Sequence, residues 1–153
     1  MQGMEQFVRR LRVSTRGKGL TEITHSILDW VRELHIETGM LSVYICHTSA
    51  SLTIQENADP DVLHDLEGFF ARLVPEDNRL YRHTSEGPDD MPAHIRAVLT
   101  QTHLAVPMVH GRLTLGTWQG IYLFEHRRRP HQRIVFLHAF GQRRDDAPRL
   151  TVP

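Results

Sequence analysis

The stretch Leu115-Gly-Thr-Trp-Gln-Gly-Ile-Tyr-Leu-Phe-Glu-His126 decides how the rest of this sequence is interpreted. Its centre, Ile121 to Phe124, is apolar at every position, which predicts a strand covered on both faces. Gly116 and Gly120 permit a bend or the close approach of another backbone or a ligand. Taken alone, the stretch is typical of a kinked core strand. It is nevertheless bordered by side chains with functional chemistry, namely Trp118, Gln119, Glu125 and His126.

Two further polar clusters lie upstream of that strand. The first is His47-Thr-Ser-Ala-Ser-Leu52, and the second is His83-Thr-Ser-Glu-Gly-Pro-Asp-Asp-Met-Pro-Ala-His94. Histidine is the commonest metal ligand and titrates near neutral pH, and the chain contains 11 of them. We therefore expect the three clusters to form one composite site with a metal or with acid–base chemistry.

The length of 153 residues and the hydrophobic content of 40% fit one domain over residues 1–153. The 18 basic and 18 acidic residues balance, so no global positive field indicates a nucleic-acid partner. No apolar stretch is long enough to span a bilayer, and the charged N-terminal residues are unlike a signal peptide. Cys46 is the only cysteine, and its apolar neighbours predict a buried thiol. We expect a cytoplasmic protein with no membrane partner.

Periodicity predicts three helices. Apolar residues at helical spacing predict the first at about 22–37, with Thr21 as its N-cap and Gly39 at its end. Asp59-Pro60, an N-cap followed by proline at the first helical position, introduces the second. The third is expected at about 90–100. Its buried residues are expected to be Met91, Ile95 and Val98.

Alternating apolar residues between Gly or Pro turns predict the strands. They are expected at residues 5–14, 41–47, 103–109, 112–115, 120–126 and 132–140. Three helices combined with this series of strands predict an α+β domain with a largely antiparallel or mixed sheet. Within that sheet, His47 falls at the end of a buried row of side chains.

The acidic loop between His83 and His94 is a candidate metal site, because Asp90 precedes His94 by one helical turn. A carboxylate in that position can orient the imidazole, or both groups can bind one cation. Asp89 or Asp90 could equally be the N-cap of the third helix, and His94 could be a core histidine. The spacing of the two histidines fits no compact zinc motif. His47 would supply a third imidazole, and three histidines with an open position form a common catalytic metal site.

Hydroxyl groups and a basic run provide candidate anion ligands. Thr48 and Ser49 belong to a hydroxyl-rich segment that could hold a phosphate or could be the wet face of a strand. The run Arg127 to Arg133 falls at a predicted hairpin connection, where such runs are usually solvated. Arg133 could instead point toward Glu125 and present a fixed cation to a phosphate. The sequence contains no nucleophile elbow, P-loop or dinucleotide-binding glycine pattern.

Four motifs occur in order along the chain. They are His47-Thr-Ser-Ala-Ser-Leu-Thr53, Glu56-Asn-Ala-Asp-Pro60, Glu86-Gly-Pro-Asp-Asp-Met-Pro-Ala-His-Ile95 and Leu115-Gly-Thr-Trp-Gln-Gly-Ile-Tyr-Leu-Phe-Glu-His-Arg127. Together they resemble the pattern of the YjbQ-like family, the secondary thiamine-phosphate synthase enzymes, over nearly the whole chain. The resemblance implies a compact, sandwich-like α+β domain and a homotrimer. It also implies a metal-associated pocket that contains His47, His83 and His94. Arg96 stands where lysine is frequent in the family.

The activity implied by this resemblance couples a pyrimidine-methyl pyrophosphate to a thiazole phosphate, giving thiamine phosphate and pyrophosphate. Such a reaction requires neutralisation of a diphosphate leaving group, a task suited to a divalent cation, zinc or magnesium. Arg133 with the hydroxyls of Thr48 and Ser49 would assist the cation. The catalytic candidates, which could orient a ligand or a water molecule, are Glu125, Asp90 and Gln119.

Two other functions fit the same residues. A metal-dependent hydrolase could cleave a small phosphorylated metabolite with three histidines and a polarised water. Alternatively, the pocket could only bind an anion, with the Arg127 to Arg133 run as an interaction patch. In each case the expected partner is a small phosphorylated molecule rather than nucleic acid.

Overall fold

The structure, a computed structural model, describes residues 3–144. The domain predicted over 1–153 extends further, and residues 1–2 and 145–153 lie outside the described residues. The described part contains α1 (Thr24–Leu34), α2 (Pro60–Leu73) and α3 (Asp90–Leu99), with a short 3-10 turn at Asn78–Leu80. Its eight strands are β1 (Met4–Ser14), β2 (Gly19–Glu22), β3 (Ile36–Ile45), β4 (Ala50–Glu56), β5 (His103–Val109), β6 (Arg112–Leu113), β7 (Gln119–Glu125) and β8 (Gln132–Arg143).

The strands form two sheets. The larger has the order β1-β8-β3-β5-β6, and the smaller has the order β2-β7-β4. Every neighbouring pair of these strands is antiparallel. The predicted α+β class with three helices is therefore confirmed, with antiparallel rather than mixed sheets.

One hydrophobic core joins α1 to both sheets. Alternation along β8 directs Val135, Leu137 and Ala139 inward, as a half-covered antiparallel strand requires. The prediction for the central strand is also confirmed, because β7 is covered on both faces. Ile121 and Leu123 face the main core, and the ring of Phe124 packs edge-on against Phe70 of α2 at 5.5 Å. Because β7 is fixed in the core, the polar residues at its two ends have fixed positions.

Helix α1 is shorter than the sequence predicted. Thr21 was expected to cap it but lies in β2, and the N-cap residue is Ile23, which forms no side-chain cap bond. The helix ends at His35 in a left-handed conformation with φ 54°, and Gly39 lies inside β3. Gly39 is needed there because a Cβ would collide with the Phe140 carbonyl of β8. The pairing of β3 with β8 therefore requires Gly39, and this glycine does not mark the end of the helix.

Helix α3 buries a different face from the one predicted. Met91 and Ile95 are only partly covered and Val98 is 83% exposed, whereas Ala93 and Arg96 are buried. Small side chains allow α3 to approach β4 closely, so the alanine face packs inward. The same side of the molecule leaves Phe69 of α2 half exposed. Cys46, expected to be buried, is exposed because it follows β3 and lies outside the core.

The second helix begins as predicted. The side chain of Asp59 accepts a hydrogen bond from the Asp61 backbone N–H at 2.9 Å, and Pro60 occupies the first turn. Within residues 3–144, none of the helices combines the length and the apolar character needed to cross a membrane.

Candidate functional site

Two histidines and one aspartate converge where α3 begins. His83 Nε2 lies 2.6 Å from Asp90 Oδ2, and His94 Nε2 lies 3.2 Å from the same oxygen. Asp90 and His94 meet because they are one helical turn apart, whereas His83 arrives from the preceding loop. The three candidate ligand atoms lie within 4.8 Å of one another. We call His83, Asp90 and His94 the HDH cluster.

The HDH cluster is open to solvent on its histidine side. The side chain of Asp90 is 2% exposed, but those of His83 and His94 are 45% and 32% exposed. The buried carboxylate thus forms the floor of a site that solvent and small molecules can reach. A catalytic metal site requires such an open side, because a water or substrate must occupy a coordination position.

The contacts of His94 indicate which tautomer its ring adopts. Its Nδ1 lies 2.9 Å from the Thr48 carbonyl oxygen, which can only accept, so Nδ1 carries the hydrogen. In a neutral ring, Nε2 then carries a lone pair that points at Asp90 Oδ2, and two acceptors face each other. Either a second proton or a cation must lie between them. Two imidazoles and a carboxylate are a known ligand set for zinc, so the residues fit a divalent cation.

Arg127 holds the carboxylates of the loop in place. Its Nη1 donates to Asp90 Oδ1 at 2.5 Å, and its Nε donates to Asp89 Oδ2 at 3.0 Å. Burial by itself would raise the pKa of Asp90, but the His83 hydrogen bond and the Arg127 charge hold that pKa below its usual value. Asp90 is therefore an anion at neutral pH.

The sequence left open whether these aspartates cap α3, and the structure answers the question in part. Asp89 occupies the N-cap position of α3, yet its side chain makes no cap hydrogen bond. The carboxylate instead accepts from the Arg127 side chain and from the Arg128 backbone N–H at 2.9 Å. Arg127, expected in a solvated basic run or an interaction patch, instead holds the two carboxylates, and its position directly after β7 was the available signal.

A second cluster is built around Glu125, which is completely buried at the end of β7. Arg133 binds it through Nε at 2.7 Å and through Nη2 at 2.5 Å. Thr15 Oγ1 donates at 2.9 Å and the Arg127 backbone N–H at 3.1 Å, so the carboxylate accepts four hydrogen bonds. Burial would raise the pKa of Glu125, but the Arg133 hydrogen bonds and charge lower it. We call Glu125 and Arg133 the buried pair.

The buried pair contacts the segment that contains the predicted anion ligands, and Arg133 itself is buried. Arg133 is 4% exposed, and its Nη2 also donates to Ser49 Oγ at 3.0 Å. Thr48 is exposed and contributes its carbonyl to His94. Ser49 therefore faces the buried pair, whereas Thr48 faces the HDH cluster.

His47 contacts the buried pair and lies outside the HDH cluster. Its Nε2 accepts the Ile134 backbone N–H at 2.8 Å, and its Nδ1 lies 3.4 Å from Arg133 Nη1. Burial, with the nearby Arg133 charge, lowers the pKa of His47. The structure thus brings together two of the three predicted metal histidines and adds Asp90 as the third group.

Gln119 is at the opposite end of β7 from Glu125. Seven residues of strand separate the two ends by about 20 Å. The Gln119 side chain accepts the Gly116 backbone N–H at 2.8 Å and lines a cavity beside α1 of about 470 Å³. The structure does not place Gln119 in the same site as the other candidates.

Comparison with known proteins gives a consistent result. Residues 9–142 match the family model described as UPF0047 protein YjbQ-like. A UPF0047 protein of Synechocystis sp. is 58% identical over 132 residues, which cover 86% of this chain and 90% of that protein. The UPF0047 protein YjbQ of Escherichia coli O157:H7 is 45% identical over 122 residues, covering 79% and 88%.

Solved structures share the fold. A conserved hypothetical protein from Thermus thermophilus has a TM-score of 0.75 at 37% identity, covering 84% of this chain and 97% of that one. A YbjQ-like protein of unknown function from Sulfolobus solfataricus P2 has a TM-score of 0.83, covering 92% and 100%. At 21% identity, that second match supports the fold alone.

Proposed function

This chain belongs to the YjbQ-like UPF0047 family, and on that premise we propose that it is a metal-dependent transferase with thiamine-phosphate synthase activity. In this proposal it couples a pyrimidine-methyl pyrophosphate to a thiazole phosphate and releases pyrophosphate. His83, Asp90 and His94 hold a divalent cation, zinc in preference to magnesium, because two imidazoles suit zinc and magnesium favours oxygen ligands. When bound, such a cation supplies neutralisation of the charge on the leaving pyrophosphate.

The observation that carries the proposal is the placement of His94, whose Nε2 lies 3.2 Å from Asp90 Oδ2 while its Nδ1 lies 2.9 Å from the Thr48 carbonyl oxygen. The Thr48 carbonyl fixes the His94 tautomer through Nδ1. In ligand histidines the ring nitrogen that does not bind the metal commonly donates to a backbone carbonyl, as Nδ1 does here, and Nε2 is then left for a cation that Asp90 would share.

The surroundings of the HDH cluster support a phosphorylated substrate. A cavity of about 460 Å³ adjoins the cluster, and Ser85, Arg127 and Arg129 line it. The guanidinium of Arg127 is held by Asp89, Asp90 and the Glu86 carbonyl, so it positions the loop. Arg129 is exposed beside the loop and is the side chain most free to meet a phosphate.

The buried pair has a positioning role in this proposal. Arg133 fixes Ser49 through both the hydroxyl and the carbonyl, and Ser49 is adjacent to Thr48. The Thr48 carbonyl in turn orients His94. Glu125 and Arg133 therefore act on the HDH cluster through the backbone of the segment that follows β3.

The test is a direct assay with both phosphorylated precursors and zinc-loaded protein, in which thiamine phosphate and pyrophosphate are measured. The expected result is equal amounts of the two products, with none above background from His94→Ala. His25→Ala is the matched control because His25 is exposed on α1, away from the site. Absence of product from the loaded wild-type protein would refute the transferase proposal.

A hydrolase is the second candidate, because the exposed imidazoles leave room for a water molecule. Phosphate release from a single phosphorylated metabolite, without the second precursor, would favour it. Saturable binding of the same metabolites without any turnover would instead favour an anion-binding protein. Both outcomes appear in the same assay when each precursor is also supplied alone.

We also propose a homotrimer in the cytoplasm, where phosphorylated metabolites and a single free cysteine are both expected. The outer face of the larger sheet supports self-association. Phe136 lies directly opposite Tyr44 in the sheet, and Val8 lies on the same face; all three are exposed. An uncovered apolar face of this kind marks an interface. Light scattering on Phe136→Ser is expected to show loss of the wild-type trimer mass.

A further inference from the structure

A second cavity lies between α2 and the end of β7. Its lining includes Glu125 of the buried pair but no residue of the HDH cluster. Its volume is about 260 Å³. Lys18 and Arg96 bring positive charge to its lining, His126 adds an imidazole, and Phe70 and Phe124 form an apolar wall. We call this space the α2 cavity.

Arg96 is the unusual residue of the α2 cavity, because its guanidinium is buried with few partners. The residue is 4% exposed, and its Nη2 donates to the Val74 carbonyl at 2.8 Å. Its Nε has no hydrogen-bond partner within residues 3–144. A guanidinium carries five N–H donors, and buried donors are normally satisfied. The buried guanidinium of Arg96 therefore lacks at least one hydrogen-bond acceptor.

The nearest carboxylate compensates this charge only in part. Glu76 Oε1 lies 4.0 Å from Arg96 Nη1, beyond hydrogen-bond distance. Glu76 also forms short ion pairs with Lys18 and with Arg128. One carboxylate thus serves three cations, and within residues 3–144 no carboxylate lies within hydrogen-bond distance of the Arg96 guanidinium. Such a charge is costly unless an anion pairs with it.

His126 adds a neutral polar group to the same lining. It is 1% exposed, and its Nε2 lies 2.8 Å from Ser51 Oγ. Burial, reinforced by the Arg96 charge, lowers the pKa of His126 to about 3. The ring is therefore uncharged at neutral pH and can exchange a hydrogen bond with a ligand without adding charge.

We propose that the α2 cavity binds a small organic anion, with its charged head on Arg96 and Lys18 and its flat apolar body against Phe70 and Phe124. A bare oxyanion would leave the apolar wall uncovered, and a neutral aromatic molecule would leave Arg96 unpaired. Glu67 also lines the cavity, with its carboxylate oxygens beside Gly19. Its charge opposes the ligand and limits affinity.

The test uses phenyl phosphate as the probe and metal-free full-length protein, so that the HDH cluster does not compete for it. Binding is followed by titration calorimetry and by the NMR signals of the Arg96 Nε–H and the His126 ring. Saturable binding with shifts of both signals is expected. Inorganic phosphate and benzyl alcohol are each expected to bind at least about tenfold more weakly, because each keeps only half of the contacts.

Variants separate this cavity from the metal site. Arg96→Met is expected to weaken phenyl phosphate binding by about tenfold or more, and Arg96→Lys to restore part of it. Lys18→Met serves as a second variant, because Lys18 is partly exposed and we expect its replacement to leave the fold intact. Glu67→Gln is expected to tighten binding. His94→Ala is the control and should not change it.

Several results would overturn the proposal. One is the absence of binding up to about 10 mM probe at low salt, where electrostatic attraction is strongest. Equal affinity for benzyl alcohol would show that Arg96 is not an anion ligand. Equal affinity of the wild-type protein and Lys18→Met, or loss of binding in His94→Ala, would place the probe elsewhere. None of these results depends on the transferase assay.

Discussion

Asp90 and Glu125 are both almost completely buried carboxylates beside an arginine, yet their hydrogen bonds differ. Glu125 accepts from four donors: two groups of Arg133, Thr15 and the Arg127 backbone. Asp90 Oδ1 accepts from Arg127, but Oδ2 faces two imidazole nitrogens, and that of His94 has no hydrogen to give in the neutral ring. A saturated carboxylate is part of the scaffold, whereas one that faces a lone pair is prepared for a cation.

The largest expected effect comes from breaking the buried pair. Arg133→Met leaves Glu125 buried without its main partner, so the free energy of unfolding should fall by about 3–5 kcal/mol. Denaturant unfolding measures the loss, and Arg129→Met, which replaces an exposed arginine in the connection before β8, is the control. Replacing both members of the pair with apolar residues should destabilise less than Arg133→Met does. A loss under about 1 kcal/mol in Arg133→Met would show that the pair is not structural.

Removal of an HDH ligand should act on metal affinity instead. His83→Ala or His94→Ala is expected to weaken zinc binding by about 100-fold, with little change in stability of the metal-free protein, since both rings are partly exposed. Elemental analysis and titration calorimetry measure the loss. His47→Ala should retain the metal, because both of its ring nitrogens face other partners. If His47→Ala loses as much zinc as His94→Ala, the site is the three-histidine one that the sequence suggested.

The stability of the protein in acid should depend on a third buried group, His126. Its pKa in the folded protein is about 3, below the ordinary value of 6.5, because burial opposes protonation. Above pH 6.5 the ring is neutral in both the folded and the unfolded protein, so its titration does not change the free energy of unfolding. Below it only the unfolded chain takes up the proton, so stability is lost as the pH falls toward 3, by about 2 kcal/mol at pH 5.

This pH effect is measured by denaturant unfolding at pH 7 and pH 5. His126→Asn should flatten the difference, whereas His25→Asn, which removes an exposed histidine, should leave it unchanged. The depressed pKa values of Asp90 and Glu125 act at lower pH, because a carboxylate of this kind loses its stabilising effect only as the pH falls through its own pKa. Parallel pH curves for His126→Asn and the wild type would contradict the assignment.

The smallest expected effect tests the limits of the site. Gln119→Ala should leave zinc affinity unchanged and alter stability by no more than about 0.5 kcal/mol, since Gln119 is exposed at the far end of β7. Zinc titration and the transferase assay measure it. A loss of activity comparable with that of His94→Ala would return Gln119 to the catalytic group and would require a second copy of the chain to supply it.

Some of the site was predictable because it depends on neighbours in sequence. The contact of Asp90 with His94 follows from one helical turn. The contact of Arg133 with Glu125 was also expected, but from a hairpin that does not form, because β7 and β8 lie in different sheets. The direction of His94 was not predictable, since it depends on the Thr48 carbonyl 46 residues away. For the same reason, Arg127 could be placed in a motif but not assigned to Asp89 and Asp90.

The sequence by itself determined the α+β class, the covered strand β7, the capped start of α2 and the residues that carry the chemistry. Those features depend on periodicity and capping, which act over a few residues. Only the tertiary structure decided that α3 buries Ala93 and Arg96 rather than Val98, and that α1 ends before Gly39. It also decided that Asp90 Oδ2 faces two imidazole nitrogens, whereas four donors saturate Glu125. These outcomes depend on which distant strand or loop packs alongside, and no local pattern contains that information.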